Sequence, residues 1–280
     1  MDKETLLQVQ KTVNSILFDI DRFCSENDIT YYLFYGTELG AVRHGGFIPW
    51  DDDADLIFFR DQYEKFRRLW LEKKPEGYFF QDISTDPGYH IKIAKIRKNN
   101  TAFVEPQVKD FPMHHGIFVD LFVLDDYVKN RFFRRLTEYI TMFDYNSVRD
   151  YRPSGSLKRF VYPVTNFLFR KERIFRFWYR RVYPRLKKDP TMCSDIASFT
   201  NSSRYDFKRE WFGKGRRIFY DGMLLNVPEN THETLKACYG DYMTPPPEDK
   251  RASRHRLYAL SFQREYHPGD PGFAPAEDKD

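Results

Sequence analysis

Four aspartates, Asp51, Asp52, Asp53 and Asp55, run directly into the apolar stretch Leu56-Ile57-Phe58-Phe59. Carboxylates crowded at the mouth of a strand repel one another, so a chain built this way needs something cationic among them. The stretch before them adds a second constraint. Tyr31 to Tyr35 is apolar and aromatic and reads as a buried strand. Gly36 stops it, and Thr37 to His44 spells a short helix closed by Gly45-Gly46. The economical reading is a divalent metal together with a phosphate-bearing substrate.

Side chains on a strand alternate with period two, so a strand over Asp53 to Phe59 puts Asp53 and Asp55 on one face and Ala54, Leu56 and Phe58 in a core. Mg2+ or Mn2+ prefers carboxylate oxygens and is commonly held by one or two of them plus substrate phosphates. Asp120, flanked by Val119 and Leu121, supplies a third carboxylate if its strand lies next door. A buried carboxylate needs a metal or a hydrogen-bonding partner. Gly36 permits close approach of a ligand, and the first amides of the Thr37 helix form a phosphate cradle. Arg43 offers a bidentate fork for the remaining phosphate charge. A solvated acidic loop is the plainer alternative for Asp51 to Asp55.

The wider pattern is α+β: a mixed sheet flanked by helices, carrying a helical, basic insert. Leu6, Val9, Val13, Ile16, Ile20 and Phe23 predict an amphipathic helix from about Glu4 to Asn27. Asp61 caps a helix over Gln62 to about Lys73. Strands are expected at Tyr78–Gln81, His90–Arg97 and Ile117–Leu124, and a hairpin around Asp221-Gly222. Asn230, with Glu233 three residues on, caps a last helix that Gly240 ends. Residues 1–128 form the catalytic core, 129–208 the insert, 209–266 a part that completes the active site, and 267–280 a disordered tail. The insert is read as helical to about Tyr183, with breaks at Pro153-Ser154-Gly155 and Pro163.

Charge is unevenly spread. Between Lys129 and Lys188 there are 17 Lys+Arg and 4 Asp+Glu, a net +13, which leaves −9 for the rest of a chain whose total is +4. Aromatic residues, including Phe132, Phe133, Phe167, Phe169, Phe175, Phe177 and Trp178, interleave with these arginines. That mixture suits peripheral contact with an anionic membrane through residues 129–188, or an acidic glycan; nucleic acid ranks last. A plain helical lobe with a solvated face fits as well. Three widely spaced cysteines and no CxxC pair argue against a disulfide scaffold or a zinc site. No apolar signal region follows Met1-Asp2-Lys3-Glu4, so a cytoplasmic location is expected, with a peripheral place on the inner face of the membrane as the alternative.

The string from Gly36 to Leu56 resembles the signature of the LicD family, which includes bacterial phosphocholine transferases and is related to fukutin-type transferases. Gly36-Thr37, Asp53-Ala54-Asp55 and Val119-Asp120-Leu121 match in order and in flanking hydrophobicity. So do Lys95-Ile96-Arg97, and Tyr239 through Pro246 with Arg251 and His255. The resemblance covers about residues 30–125 and 218–256 and leaves the basic insert unmatched. It implies a nucleotidyltransferase-like fold and transfer of a phospho-alcohol, typically phosphocholine from a CDP-alcohol donor such as CDP-choline. The acceptor is a hydroxyl of a glycan or of a lipid-linked glycan, and CMP is released.

On that resemblance Asp53 and Asp55 bind metal, Asp120 binds metal or takes the acceptor's proton, and Gly36, Thr37 and Arg43 hold the diphosphate. His44 donates to phosphate or is structural. Trp50 stacks on a base or choline headgroup, or anchors a loop. Lys95 and Arg97 share a strand face that reaches nucleotide phosphates or lies in solvent. Arg251 and His255, four apart, fall on one side of a helix and complete the donor or acceptor site, or form a surface pair. Asp51 and Asp52 orient the loop or hydrogen-bond the inner ligands. Two rival functions remain: a nucleotidyltransferase attacking the α-phosphate, and a noncatalytic glycan- or nucleotide-binding protein.

Overall fold

A computed structural model describes residues 1–89, 91–148, 174, 177–196, 205–253 and 255–273. The expected breaks at Pro153–Gly155 and Pro163, and Phe167, Phe169 and Phe175, lie outside the described residues. The chain forms two compact units: Met1–Tyr89 with Ile93–Val123 and Trp211–Asp280, and His90–Lys92 with Leu124–Glu210.

The first unit opens with helix α1, Lys3–Glu26, whose N-terminus is capped by the Asp2 carboxylate accepting from the Thr5 amide at 2.8 Å. Its stripe of Val9, Val13, Ile16, Leu17 and Ile20 is buried in the core, as the spacing predicts. Strand β1 (Tyr32–Leu33) leads into α2 (Tyr35–His44), then β2 (Asp55–Phe59), α3 (Arg60–Lys73), β3 (Tyr78–Gln81), β4 (Ala94–Lys98), β5 (Ala102–Val104) and β6 (Phe118–Val128). The sheet order is β1-β2-β6-β4-β3. Leu33, Leu56, Phe58, Ile96, Val119 and Leu121 pack on one side of this sheet with α1 and with Tyr63, Phe66 and Trp70 of α3. Each such side chain contributes about 1.5–3 kcal/mol by leaving water.

In the second unit α4 (Arg131–Val148) follows β6, and the far end of β6 pairs with β7 (Lys188–Ser194), which pairs with β8 (Asp206–Lys208). Both strands lie beyond Tyr183, where the helical pattern was expected to end. Back in the first unit, β9 (Arg216–Tyr220) and β10 (Met223–Val227) form the expected hairpin, with Asp221 and Gly222 at φ of 46° and 87° in its turn. Helix α5 (Thr231–Tyr239) is capped by Asn230 and ended by Gly240, and β11 (Ala259–Ser261) pairs with β5. Among the described residues no helix is long and apolar enough to cross a membrane.

Several local expectations need correction. Helix α2 begins at Tyr35, so Gly36 sits inside its first turn. The turn out of β1 is made by Tyr35 itself, at φ 45°. A bulky residue there costs on the order of 1–3 kcal/mol. Helix α3 starts at Arg60, and Asp61 does not cap it; its carboxylate accepts from Gln62 instead. Strand β2 starts at Asp55 rather than Asp53, because the Asp55 amide is taken by the Thr37 hydroxyl at 2.8 Å. Strand β4 starts at Ala94, and His90 lies outside the described residues. The tail expected to be disordered from His267 is held as far as Phe273, whose ring packs 5.3 Å from that of Tyr266 and 4.1 Å beneath the Arg264 guanidinium.

Candidate active site

Two neighbouring elements of the sheet, and the loop that enters one of them, build the acidic centre. β6 lies beside β2, and the Asp120 amide donates to the Ala54 carbonyl at 2.8 Å. That bond sets Asp120 level with the point where the loop carrying Asp53 enters β2 at Asp55. One carboxylate oxygen from each of Asp53, Asp55 and Asp120 lies within 4.8 Å of the other two. Burial raises the pKa of Asp53; His255 pulls it down while Asp120 and Asp52 push it up. Burial raises Asp55 further still, and Asp53, Asp120 and Asp51 add to the rise. Asp53, Asp55 and Asp120 could hold a cation, which would stabilise the charged form of two carboxyls made this reluctant to ionise.

The register of β4 against β6 supplies one counter-charge. Lys95 is directly opposite Asp120, and its ammonium forms a buried ion pair with that carboxylate. The same ammonium stands 3.6 Å above the Phe118 ring. Burial lowers the Lys95 pKa, Asp120 opposes that, and Arg97 adds to it. Arg97 also lies over Phe118, at 4.9 Å, on the same buried face. Its guanidinium is engaged by the Gln81 side chain and by the Gly116 carbonyl at 2.6 Å. The solvated-face alternative for this pair is therefore wrong: the face is interior.

A second counter-charge arrives from the end of the chain. His255 Nδ1 lies 2.9 Å from Asp52 Oδ1, and Nε2 lies 3.9 Å from Asp53 Oδ2. Burial opposes a charge on this ring, yet the hydrogen bond to Asp52 and the charge of Asp53 outweigh it and lift the pKa to about 9. The ring is wedged edge-on between Phe103 and Phe118, each at 5.8 Å. Asp52, fully buried, also accepts from the Ser253 hydroxyl. Arg251 does not accompany His255. No helix carries the two residues, and Arg251 lies 5.3 Å over the Trp50 ring instead.

The start of α2, expected to cradle a phosphate, is engaged within the protein. The Thr37 amide donates to the Phe34 carbonyl at 3.0 Å, so it is not offered to a ligand. The Thr37 hydroxyl fixes Asp55. Gly36 lies close to the acidic loop without a positive φ: a Cβ there would stand 2.8 Å from Asp51 Oδ2, which would have to shift. Arg43 donates to the Tyr242 carbonyl at 2.8 Å and neighbours His44 and Arg251. The Trp50 ring packs in a cluster with Leu39, Ile48 and Leu235 and meets His44 edge-on at 6.2 Å.

Two contributors escape the sequence reading. Gln10 on α1 donates to the Asp51 carbonyl at 2.8 Å and so pins the acidic loop. Its signal was a polar residue on the apolar stripe of α1. Tyr220 is fully buried, its hydroxyl has no hydrogen-bond partner among the described residues, and its pKa is raised by burial and by Asp221, Asp51, Asp53 and Asp55. Nothing local marked it.

Residues 28–151 match the LicD/FKTN/FKRP nucleotidyltransferase domain. The chain is 28% identical over 266 residues to a lipopolysaccharide cholinephosphotransferase of Haemophilus influenzae, covering 91% of this chain and 97% of that protein. An uncharacterised protein of Rickettsia prowazekii is 26% identical over 147 residues, 51% of this chain and 52% of that one. Another from Rickettsia typhi is 36% identical over 63 residues, 22% and 20% of the two chains.

Proposed function

The chain belongs to the LicD family, and from that premise we propose that it is a metal-dependent transferase of phosphocholine from CDP-choline to a hydroxyl of a glycan. The carrying observation is the convergence of Asp53, Asp55 and Asp120, with oxygens within 4.8 Å of one another, beside Lys95 and His255. The named relative acts on lipopolysaccharide with a choline phosphate group, and its similarity runs through nearly the whole of both chains. Both support the reading.

The donor set fits a hard divalent cation. It is all oxygen, anionic and partly buried, and two of its carboxyls resist ionising in the cation's absence. Asp53, Asp55 and Asp120 would hold Mg2+ or Mn2+, which when bound neutralises charge on the phosphate oxygens and orients them. Lys95 and His255 keep the excess negative charge of the cluster in check. Thr37 and Gln10 hold the loop, so that Asp53 and Asp55 do not have to move during reaction. The acceptor hydroxyl oxygen bonds to the phosphorus that carries choline, the bond from that phosphorus to the CMP oxygen breaks, and a cluster carboxylate, Asp120 or Asp53, takes the hydroxyl proton. Positioning and electrostatics then supply most of the rate, as elsewhere in phosphoryl transfer.

Incubation with CDP-choline, Mg2+ and a lipopolysaccharide-derived glycan tests this. Release of CMP with choline phosphate on the glycan supports it. CMP attached to the glycan would instead make the protein a nucleotidyltransferase, and no turnover in any metal would refute catalysis. Exposed Phe132 and Phe177, at 68% and 63%, support membrane contact through residues 129–188. Flotation with anionic liposomes tests that, and absence of binding at low salt would eliminate it.

A further inference from the structure

Phe79, Arg97 and Phe118 stand opposite one another on β3, β4 and β6, on the side of the sheet that carries Lys95 and Asp120. β3 is the edge strand, and Phe79 lines a cavity of about 360 Å3 there, within the range that holds small molecules. Asp86, His114, His115, Glu265 and Tyr266 line it too, and the reaction proposed above uses none of them. The walls are held in place. The Phe79 and His114 rings stack with centroids 4.9 Å apart and planes 4° from parallel. Asp86 Oδ2 accepts from the His114 amide and from Gln81 Nε2, each at 2.8 Å, and Gln81 in turn engages Arg97. The segment after β11 supplies the remaining wall. Tyr266 donates to the Lys109 carbonyl at 2.9 Å and meets the His115 ring edge-on at 5.2 Å, while Glu265 accepts from the Asn100 amide at 3.1 Å. A ligand would enter a preformed site, with little ordering left to do.

The polar groups of these walls are acceptors. His114 Nδ1 accepts from the Gly116 amide at 3.1 Å, so its ring hydrogen sits on Nε2 and goes to Asn99. His115 Nε2 lies 3.0 Å from the Phe111 carbonyl, which puts the hydrogen there and leaves Nδ1 a buried acceptor with no partner among the described residues. Burial holds the pKa of both rings at about 4, and Arg97 adds to the effect, so both are neutral at pH 7. Asp86 and Glu265 bring two negative charges. Among the described residues no lysine or arginine lines the cavity, and Arg97 nearby is engaged by Gln81 and the Gly116 carbonyl. An occupant must therefore donate hydrogen bonds, carry no negative charge and offer an apolar face to the aromatic rings. A ring with hydroxyls round its edge does all three. A phosphate or a uronic acid fails on charge, and a trimethylammonium headgroup has no donor to offer.

We propose that this cavity binds an uncharged sugar ring of the acceptor glycan and turns acidic sugars away. The ring's place in the reaction rests on the transfer proposed above, whereas the sugar binding does not. Two strand spacings of about 4.8 Å across the sheet and two residues of about 3.3 Å along β6 put Phe79 about 12 Å from Asp120. One sugar ring does not span that interval. The ring in the cavity is therefore a neighbour, along the glycan, of the ring whose hydroxyl reacts. It decides which glycan is modified without touching the reacting atoms.

The test is titration of the full-length protein in EDTA with glucose, galactose, N-acetylglucosamine and glucuronate, followed by saturation-transfer NMR and calorimetry. At least one of the three uncharged sugars should bind, with glucuronate at least about tenfold weaker. Phe79→Ala removes the stacking face and His115→Phe removes the unpartnered acceptor, and each should weaken that binding at least about tenfold. Phe79→Leu, which keeps bulk without the ring, serves if Phe79→Ala fails to fold. Asp53→Asn should bind the sugar as the parent does. Binding of none of the uncharged sugars, glucuronate bound as tightly, or unchanged binding by the folded cavity variants would overturn the site; so would loss of binding in Asp53→Asn, which would put the sugar at the carboxylates. In transfer assays the Phe79 variant should raise KM for the glycan and leave kcat and the KM for CDP-choline as in the parent. An unchanged glycan KM would overturn the cavity's place in the reaction. Intact sugar binding without any transfer from CDP-choline would count against the proposed reaction alone.

Discussion

Asp55→Asn should make the metal-free protein more stable while removing its activity. The carboxylate of Asp55 lies within 4.8 Å of those of Asp53 and Asp120. At that separation and an effective dielectric near 20, each like-charge pair costs about 3.5 kcal/mol before counter-charges act. Lys95 and His255 offset part of this, so a net gain of about 1–3 kcal/mol is expected from removing one charge. Asparagine keeps the shape, and the bond to Thr37 is made by the backbone amide, so nothing else is lost. In a chain of 280 residues that gain raises Tm by roughly 2–6 °C.

The sign has a pH signature. A carboxyl whose folded pKa is raised contributes stability that is present below its unfolded pKa, near 3.8, and lost as pH rises through the folded value. The advantage of the variant in EDTA should therefore grow as pH rises above about 3.8. Excess Mg2+ should reverse the order, because a ligand at 1,000 times its Kd stabilises the parent by about 4.1 kcal/mol and the variant by much less. Differential scanning calorimetry in EDTA and in Mg2+ measures all of this. A variant less stable than the parent in EDTA, or an equal Mg2+ shift in both, would refute the electrostatic account of the cluster.

Further outcomes can be checked with the same preparations. Asp53→Asn and Asp120→Asn should each lower transfer at least about a hundredfold with the fold retained, read as CMP release. His255→Gln should remove a stability contribution that is present below about pH 6.5 and lost as pH rises through about 9, so metal-free melts of parent and variant should converge at alkaline pH. Gly40→Ala should lower stability by about 2–3 kcal/mol, because its Cβ would stand 2.4 Å from the Gly46 carbonyl oxygen, which is backbone and has little room to yield; a Tm within 1 °C of the parent would contradict the packing of α2 on its own exit loop. Glu38→Gln should be neutral or stabilising at pH 7, since Glu38 is fully buried with its pKa driven up by that burial and one oxygen without a partner among the described residues.

What the sequence determined by itself was local. The stripe of α1, the Gly45 and Gly240 helix ends, the Asn230 cap and the Asp221-Gly222 turn depend on spacings of two to four residues and on backbone freedom, and they appear where the pattern puts them. The three aspartates were legible because acidic residues entering or interrupting apolar strands are costly unless grouped. Contacts between distant segments were decided only by the tertiary structure. Whether Lys95 meets a phosphate or Asp120 depends on the register of β4 against β6, which no run within either strand encodes. His255 and Arg251 look like one helical face, yet one reaches Asp52 and the other Trp50. Short-range periodicity shows which way a side chain points along its own element; which charge it meets there depends on how elements far apart in the chain share one low-dielectric interior.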